Sequence, residues 1–431
     1  MKPQKDVLHG GFLGKFVFVN SFPKPRVANS LDIPIFVLND INFMSITKHN
    51  WTKEEILEIY NKPMMELLYE AATIHREHHD PNTVQVSTLL SIKTGGCPED
   101  CGYCPQAARY HTEVEGNDLM KVSHVKAQAL RAKASGSSRV CMGAAWRNVK
   151  DGPEFDQVLE MVRTINKLDM EVCCTLGMLT ENQAHRLAEA GLYAYNHNLD
   201  SSEEYYKEVI STRGFEDRLE TIDNVRKTNV TVCSGGIIGM GETEGDRAGM
   251  LVALATLNPQ PESVPINALV AVDGTPLEDQ QPVEIWDMIR MVATTRIVMP
   301  ETQVRLSAGR TQMSREGQAM CFFAGANSIF AGDKLLTTPN PDVNEDMKLF
   351  KLLGLNPQKP FIKKMQPKTV EAEDSVYESL GEKPKWSRPG HKIERNEEAK
   401  QKGKEKKIEK IIQKAIDEPL VNIEEKESEK V

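Results

Sequence analysis

Three cysteines fall within eight residues, in the stretch Lys93-Thr94-Gly95-Gly96-Cys97-Pro98-Glu99-Asp100-Cys101-Gly102-Tyr103-Cys104-Pro105. Thiolates at CxxxCxxC spacing bind soft metals, and their count narrows which. Structural zinc is closed by four ligands, commonly from two CxxC elements, and the chain has no second pair at finger-like spacing. A cubane iron–sulfur cluster on three cysteines would leave one iron open to bind a further group, which is the arrangement a reaction needs. On spacing alone, zinc or a chance match stays open. Three more cysteines are dispersed: Cys141 in SRVCMGAAW, Cys173 in EVCCTLG and Cys233 in VTVCSGG. Each alone reads as a small buried core residue. Arg305, in Val304-Arg-Leu-Ser, puts a charge where a core strand wants an aliphatic residue, and a buried arginine calls for an anionic partner. Asn196, His197, Asn198 and Asp200 form a third concentration of polar groups, for which a turn or helix cap is the plain alternative.

The elements that must position these residues are legible as apolar runs: Val84 to Ile92, Ser138 to Ala144, Glu171 to Gly177, Leu192 to Asn198, Asn229 to Ile238, Ser263 to Val270, Thr302 to Ser307 and Asn327 to Ala331. Between them lie amphipathic helical stretches, Val122 to Ala134, Phe155 to Leu168, Glu181 to Ala190, Arg218 to Lys227, Arg247 to Leu257 and Val283 to Val298. Strands alternating with helices predict βαβ units and a parallel sheet, and eight units predict a closed (β/α)8 TIM-type barrel. An open doubly wound sheet would use fewer strands and a glycine-rich first turn, where this chain has cysteines. A helical prelude is predicted from Trp51, with Thr52 as N-cap, Glu55 three residues on, and Ile56, Ile59, Met64, Leu67 and Leu68 on one stripe.

A barrel displays its chemistry at the C-terminal ends of its strands, where the cysteine loop and the Asn196–Asp200 cluster both fall. Cys141, Cys173 and Cys233 fall on the second, third and fifth strands, where alternation can point all three into the lumen with Arg305 of the seventh. Three thiolates and an arginine there would suit a second, smaller cluster. Cys174, one residue after Cys173, must face the helices instead, and Cys321 sits in an apolar helical run; both read as core.

The cysteine loop, with Tyr103 beside its last cysteine, is similar to the signature of the radical S-adenosylmethionine superfamily. VQVSTLLSIKTGGCPEDCGYCPQ, RVCMGAAW, YNHNLD, VCSGGIIGMGET, ESVPINALV, VRLSAGR, AMCFFAGANSIF and LLTTPNP extend the likeness, and from Trp51 to about Gln358 the chain resembles the biotin synthase family. The resemblance implies a sulfurtransferase that converts dethiobiotin to biotin. It implies a [4Fe-4S] cluster on Cys97, Cys101 and Cys104, where S-adenosylmethionine is cleaved to a 5′-deoxyadenosyl radical. It also implies a [2Fe-2S] cluster on Cys141, Cys173, Cys233 and Arg305 as the sulfur source, and two equivalents of S-adenosylmethionine per product. By the same resemblance Tyr103, Asp200, Arg213 and Ile237 contact S-adenosylmethionine, Asp200 through the ribose hydroxyls and Arg213 through the carboxylate. Ile237 belongs to the glycine-rich Gly235–Glu242 stretch that runs beside adenine. Asn198 and Asn267 face the ureido ring of dethiobiotin, with Lys93, Trp146, Thr337 and Thr338 near the pocket. His197 is read as a packing or orienting residue, because hydrogen-atom abstraction needs no base. Further implied partners are an electron donor such as flavodoxin or ferredoxin, iron–sulfur assembly proteins and a second copy in a homodimer. The rival readings are a mutase on the same barrel, which would lack the lumenal set, and a non-catalytic iron–sulfur carrier.

Composition bounds these readings. A net charge of -9 disfavours a nucleic-acid surface, and 40% hydrophobic with 27% charged residues is ordinary for a globular chain without a membrane-spanning run. Eight cysteines in 431 residues are too sparse for a disulfide scaffold, so reduced thiols and a cytoplasmic setting are expected. The expected organisation is an extension at 1–43 outside the fold, a barrel domain at 44–360 and a charged, disordered tail at 361–431. Met44 is an alternative start, and a weak organellar presequence is the competing view of the extension. Within the tail, Ile408, Ile411, Ile412, Ala415 and Ile416 have helical spacing, outweighed by the instability of so short an isolated helix.

Overall fold

Runs rich in Val, Ile, Leu and Cys, apolar on both faces, become parallel strands because each is covered by helices outside and by its opposite numbers inside. In the computed structural model, which describes residues 47–332 and 334–360, these are β1 (Thr83–Lys93), β2 (Arg139–Ala144), β3 (Glu171–Thr175), β4 (Ala194–Asn196), β5 (Thr231–Cys233), β6 (Gly236–Ile238), β7 (Ser263–Ala268), β8 (Gln303–Leu306), β9 (Ser328–Ala331) and β10 (Asn356–Pro357). Neighbours pair in chain order, β6 joins β7, and pairing of β1 with β9 closes the barrel. β10 adds to the outer edge of β1. The (β/α)8 expectation holds. The expected extension at 1–43, the tail at 361–431 and the stretch around Ile408 lie outside the described residues. Among those described, no helix is long and apolar enough to cross a membrane.

Two expectations need correction. The fifth run is split into β5 and β6, because Pro265 on β7 has no N–H to give the ladder at that level, and the Gly235 carbonyl turns instead to the Asp200 N–H at 3.2 Å. A Cβ on Gly235 would lie 2.0 Å from the Pro265 carbonyl oxygen, so the close approach requires glycine. The prelude is two helices, Lys53–Tyr60 and Met64–His78, with Pro63 capping the second. Its start is as expected: the Thr52 hydroxyl accepts from Glu55 N at 3.2 Å and the Glu55 carboxylate accepts from Thr52 N at 3.0 Å. Three further helices, Glu203–Val209, Arg315–Phe323 and Val343–Leu353, complete the outer layer.

At the end of the second prelude helix, His75 and His79 stack at 5.4 Å, and Arg296 Nη1 donates to His79 Nε2 at 2.8 Å. Burial, with Arg296 adding repulsion, holds His75 down at about 3 and His79 at about 4. Both are neutral in the fold, whereas the unfolded chain protonates them below about 6.5. With folded values depressed, their contribution to stability is complete above that pH and is lost as the pH falls towards the folded values. The slope is up to about 1.4 kcal/mol per pH unit for each proton taken up, less for the half-buried His79. Urea midpoints are expected to drop between pH 7 and pH 5 and to drop less steeply in His75→Phe; parallel curves would remove these histidines as the cause.

Candidate active site

Alternation along the strands sorts the cysteines. Cys141 on β2 is in direct register with Cys173 on β3, and Asn196 on β4 with Cys233 on β5. Cys141 and Cys173 pack inside the barrel with Ala194, Phe330 and Leu335, whereas Cys174 joins the core between strands and helices, as its place one residue on requires. Cys321 is likewise buried in that outer core. The three thiols titrate together: Cys173 is raised by its two neighbours, and Cys141 and Cys233 are lowered by it. The Cys233 thiol is lowered, the neighbouring Cys173 and the Arg305 charge outweighing burial.

Arg305, 1% exposed, lies across this set. Gln85, Ser328 and Arg305 are neighbours in register on β1, β9 and β8. Arg305 Nε donates to Ser328 Oγ and Nη2 to Gln85 Oε1, both at 2.8 Å, and the guanidinium stacks 4.8 Å over Phe330. Its remaining arm, Nη1, points to Cys233 Sγ at 3.6 Å. No carboxylate pairs with this buried arginine among the described residues; the arm that would meet an anion faces sulfur. Below this layer Arg139, fully buried, bonds Glu171 at 2.7 Å and Glu262 at 2.8 and 3.2 Å.

A cavity of ≈ 320 Å³ opens above these groups at the C-terminal ends of the strands, and Cys97, Cys101 and Cys104 line it together with Cys141, Cys173 and Arg305. Cys233 lies behind this wall, fully buried. Burial raises the three loop thiols, Cys104 to about 11, so their deprotonation awaits a bound metal's charge. Arg213, on the wall, has Nη2 3.9 Å from Cys101 Sγ and a buried Nε with no hydrogen-bond partner among the described residues. Unspent guanidinium donors beside three thiols fit an anionic ligand at a metal cluster.

Asp200 follows the short strand β4 in the left-handed region (φ 69°), where its N–H reaches Gly235 and its carbonyl accepts from Ile237 N at 2.9 Å. That backbone crossover puts the carboxylate on the cavity wall. Its Oδ2 accepts from Tyr103 Oη at 2.9 Å and from Arg218. Asn198 Oδ1 accepts from Gly235 N at 3.3 Å. Asn267 is held at both ends of its amide, donating to the Gly236 carbonyl at 2.9 Å and accepting from Ala308 N at 3.2 Å, with one N–H and one lone pair left over. Ile237, Trp146, Thr337 and Thr338 also line the cavity; Lys93, at the end of β1 beside Ala144, does not. His197 faces it from a buried position, where desolvation and then Arg218 and Arg213 push its pKa well below the usual value, so it stays neutral. Arg218, Gln85, the Arg139–Glu171–Glu262 group and the carboxylates of the cysteine loop were not singled out by their sequence patterns.

A parallel barrel with a CxxxCxxC loop at its mouth is the architecture of radical S-adenosylmethionine enzymes, and residues 91–254 match the Radical SAM superfamily. Residues 265–356 match the Biotin and Thiamin Synthesis associated domain. The crystal structure of methylornithine synthase shares the fold, with a TM-score of 0.60 at 16% identity over 72% of this chain and 94% of that one. The chain belongs to the biotin synthase family: it is 86% identical over 360 residues to biotin synthase of Flavobacterium psychrophilum, covering 84% of this chain and 99% of the relative. It is 87% identical over 354 residues to that of Christiangramia forsetii, covering 82% and 98%. Membership carries sulfurtransferase activity dependent on S-adenosylmethionine and iron–sulfur chemistry.

Proposed function

We propose that Cys97, Cys101 and Cys104 hold a [4Fe-4S] cluster, that Cys141, Cys173, Cys233 and Arg305 hold a [2Fe-2S] cluster, and that dethiobiotin binds between the two sets. The observation carrying this reading is that both groups of sulfur converge on one cavity, at its mouth and at its depth. When bound, S-adenosylmethionine at the reduced four-iron cluster supplies the hydrogen-abstracting radical and the two-iron cluster supplies sulfur. Arg213 pairs with the carboxylate of S-adenosylmethionine, using the donors the protein leaves unspent. Asp200 accepts from the ribose hydroxyls with the oxygen that Arg218 and Tyr103 leave over, and Tyr103 and Ile237 flank the nucleoside. Asn198 serves the ureido ring. Asn267 does so with the amide hydrogen and lone pair that its bonds to Gly236 and Ala308 leave over. Trp146, Thr337 and Thr338 complete the wall, and the enclosing barrel keeps water from a reactive radical. Lys93 acts from outside the cavity wall. The remaining partners in this reading are a flavodoxin or ferredoxin as electron donor, iron–sulfur assembly proteins and a second copy of the chain, in the cytoplasm.

Protein reconstituted under argon with dethiobiotin, S-adenosylmethionine and a reductant is expected to release biotin and 5′-deoxyadenosine. Absence of both while iron and sulfide account for two clusters would sink the reading. Arg305→Ala is expected to keep the visible absorbance of the second cluster, since three thiolates remain; bleaching of that band would make the arginine indispensable for assembly.

A further inference from the structure

Two of the three residues between Cys97 and Cys101 are acidic, Glu99 and Asp100. Carboxylates beside thiolates that must gather around one cluster oppose its assembly by like-charge repulsion, unless they are engaged elsewhere. Both are. Asp100 is fully buried, and its Oδ1 accepts from Ser211 N at 2.9 Å, Thr212 N at 3.1 Å and Thr212 Oγ1 at 2.9 Å, while Oδ2 accepts from the Ser211 hydroxyl. Its own N–H donates to Thr212 Oγ1 at 3.2 Å, and its carbonyl accepts from Tyr110 Oη at 2.5 Å. Glu99 pairs with Arg147 at 3.1 Å, and Arg147 also donates to the Thr212 carbonyl at 2.6 Å. Two turns of chain more than a hundred positions apart are thus joined by Asp100, which alone among the described residues engages their backbone N–H groups, with Glu99 also accepting from the Thr212 hydroxyl. The residue after Asp100 is Cys101, and the residue after Thr212 is Arg213.

We propose that Asp100 is a positioning residue for S-adenosylmethionine: by clamping Ser211 and Thr212 to the cysteine loop it sets the Arg213 guanidinium relative to Cys101. The inference rests on the assignment of Cys101 to the four-iron cluster and of Arg213 to the carboxylate of S-adenosylmethionine. A ligand held at once by a loop-borne cluster and by Arg213 requires a fixed spacing between the two segments, and errors near 1 Å in such spacings weaken function by about a hundredfold. No residue other than Asp100 bonds both the Ser211 and the Thr212 backbone N–H groups among the described residues.

The test compares Asp100→Asn, Ser211→Ala and Arg213→Ala with the unsubstituted protein, all anaerobically reconstituted. Four-iron cluster content is read from iron, sulfide and absorbance, and the dissociation constant of S-adenosylmethionine from its perturbation of the reduced cluster's electron paramagnetic resonance signal. Asp100→Asn is expected to keep its cluster and weaken S-adenosylmethionine on the order of tenfold, since the amide cannot accept from every donor that faced the carboxylate. Ser211→Ala, which removes one hydroxyl and leaves the carboxylate, should shift the constant in the same direction by less, and it keeps the question open to test if Asp100→Asn does not fold. Undiminished affinity in Asp100→Asn and Ser211→Ala beside weakened affinity in Arg213→Ala overturns the clamp while sparing the role of Arg213. Undiminished affinity in all three overturns that role and the clamp with it. Loss of the four-iron cluster from Asp100→Asn also overturns the proposal, because the carboxylate would then serve the cysteines rather than the arginine.

Discussion

Replacing Asp200 by alanine is expected to reduce S-adenosylmethionine cleavage to background and to destabilise the fold by about 3–5 kcal/mol. Asp200 neutralises Arg218, and both side chains are almost wholly buried, at 3% and 6% exposure. Removing the carboxylate strands a guanidinium in the interior, with Tyr206 Oη at 2.9 Å as a neutral partner. It also frees Tyr103, the aromatic of the cysteine loop, from its bond to β4's end. Asp200→Asn separates the effects, because asparagine tolerates the left-handed backbone and still accepts from Tyr103 but carries no charge. Chemical denaturation of both variants beside chromatographic assay of 5′-deoxyadenosine checks this. A loss below about 1 kcal/mol in the alanine variant would mean that Arg218 finds another counter-charge.

The floor of the barrel is the second place where one side chain carries much of the stability. Arg139→Met removes the cation shared by Glu171 and Glu262, whose guanidinium also lies over the Tyr193 ring at 4.9 Å. A buried arginine network broken on its cationic side costs about 3–5 kcal/mol, because Glu171 and Glu262 lose the cation they share. Neutralising them as well, in Arg139→Met with Glu171→Gln and Glu262→Gln, is expected to recover most of that loss; no recovery would place the cost in packing instead. The damage is also expected upward: Glu171 accepts from Gln85 Nε2 at 3.5 Å, and Gln85 holds Arg305. Under the proposed cluster assignment, iron retained at the inner cysteines after desalting should therefore fall in Arg139→Met, while that at Cys97, Cys101 and Cys104 persists.

The barrel was legible because every strand but one is buried on both faces and flanked by amphipathic helices, a local pattern that repeats eight times. The break between β5 and β6 was not, since its cause is Pro265, on another strand and unpaired with it until the sheet forms. Pro63 was visible, yet the apolar stripe runs through it and suggested one helix. Cys141, Cys173 and Cys233 look like filler singly and acquire meaning only when the barrel brings them together. Arg218 read as the start of a helix and Asp100 as loop; the Ser211 and Thr212 N–H groups that Asp100 holds lie 111 and 112 positions away, beyond any local window. Lys93, carried by resemblance, sits at the right strand end but outside the cavity wall.

Inner and outer sulfur share one doorway. Arg139 and its two carboxylates close the barrel below the inner thiols, and Cys141 and Cys173 line the same cavity as Cys97, Asn198 and Thr337, which in the proposed reading is also the place of dethiobiotin. Under that proposal, restocking the inner store and hosting a substrate are successive occupancies of the same corridor. Saturating dethiobiotin should slow uptake of iron and sulfide by the inner set and leave the outer set's uptake unchanged, which would make each round of repair wait for the departing product.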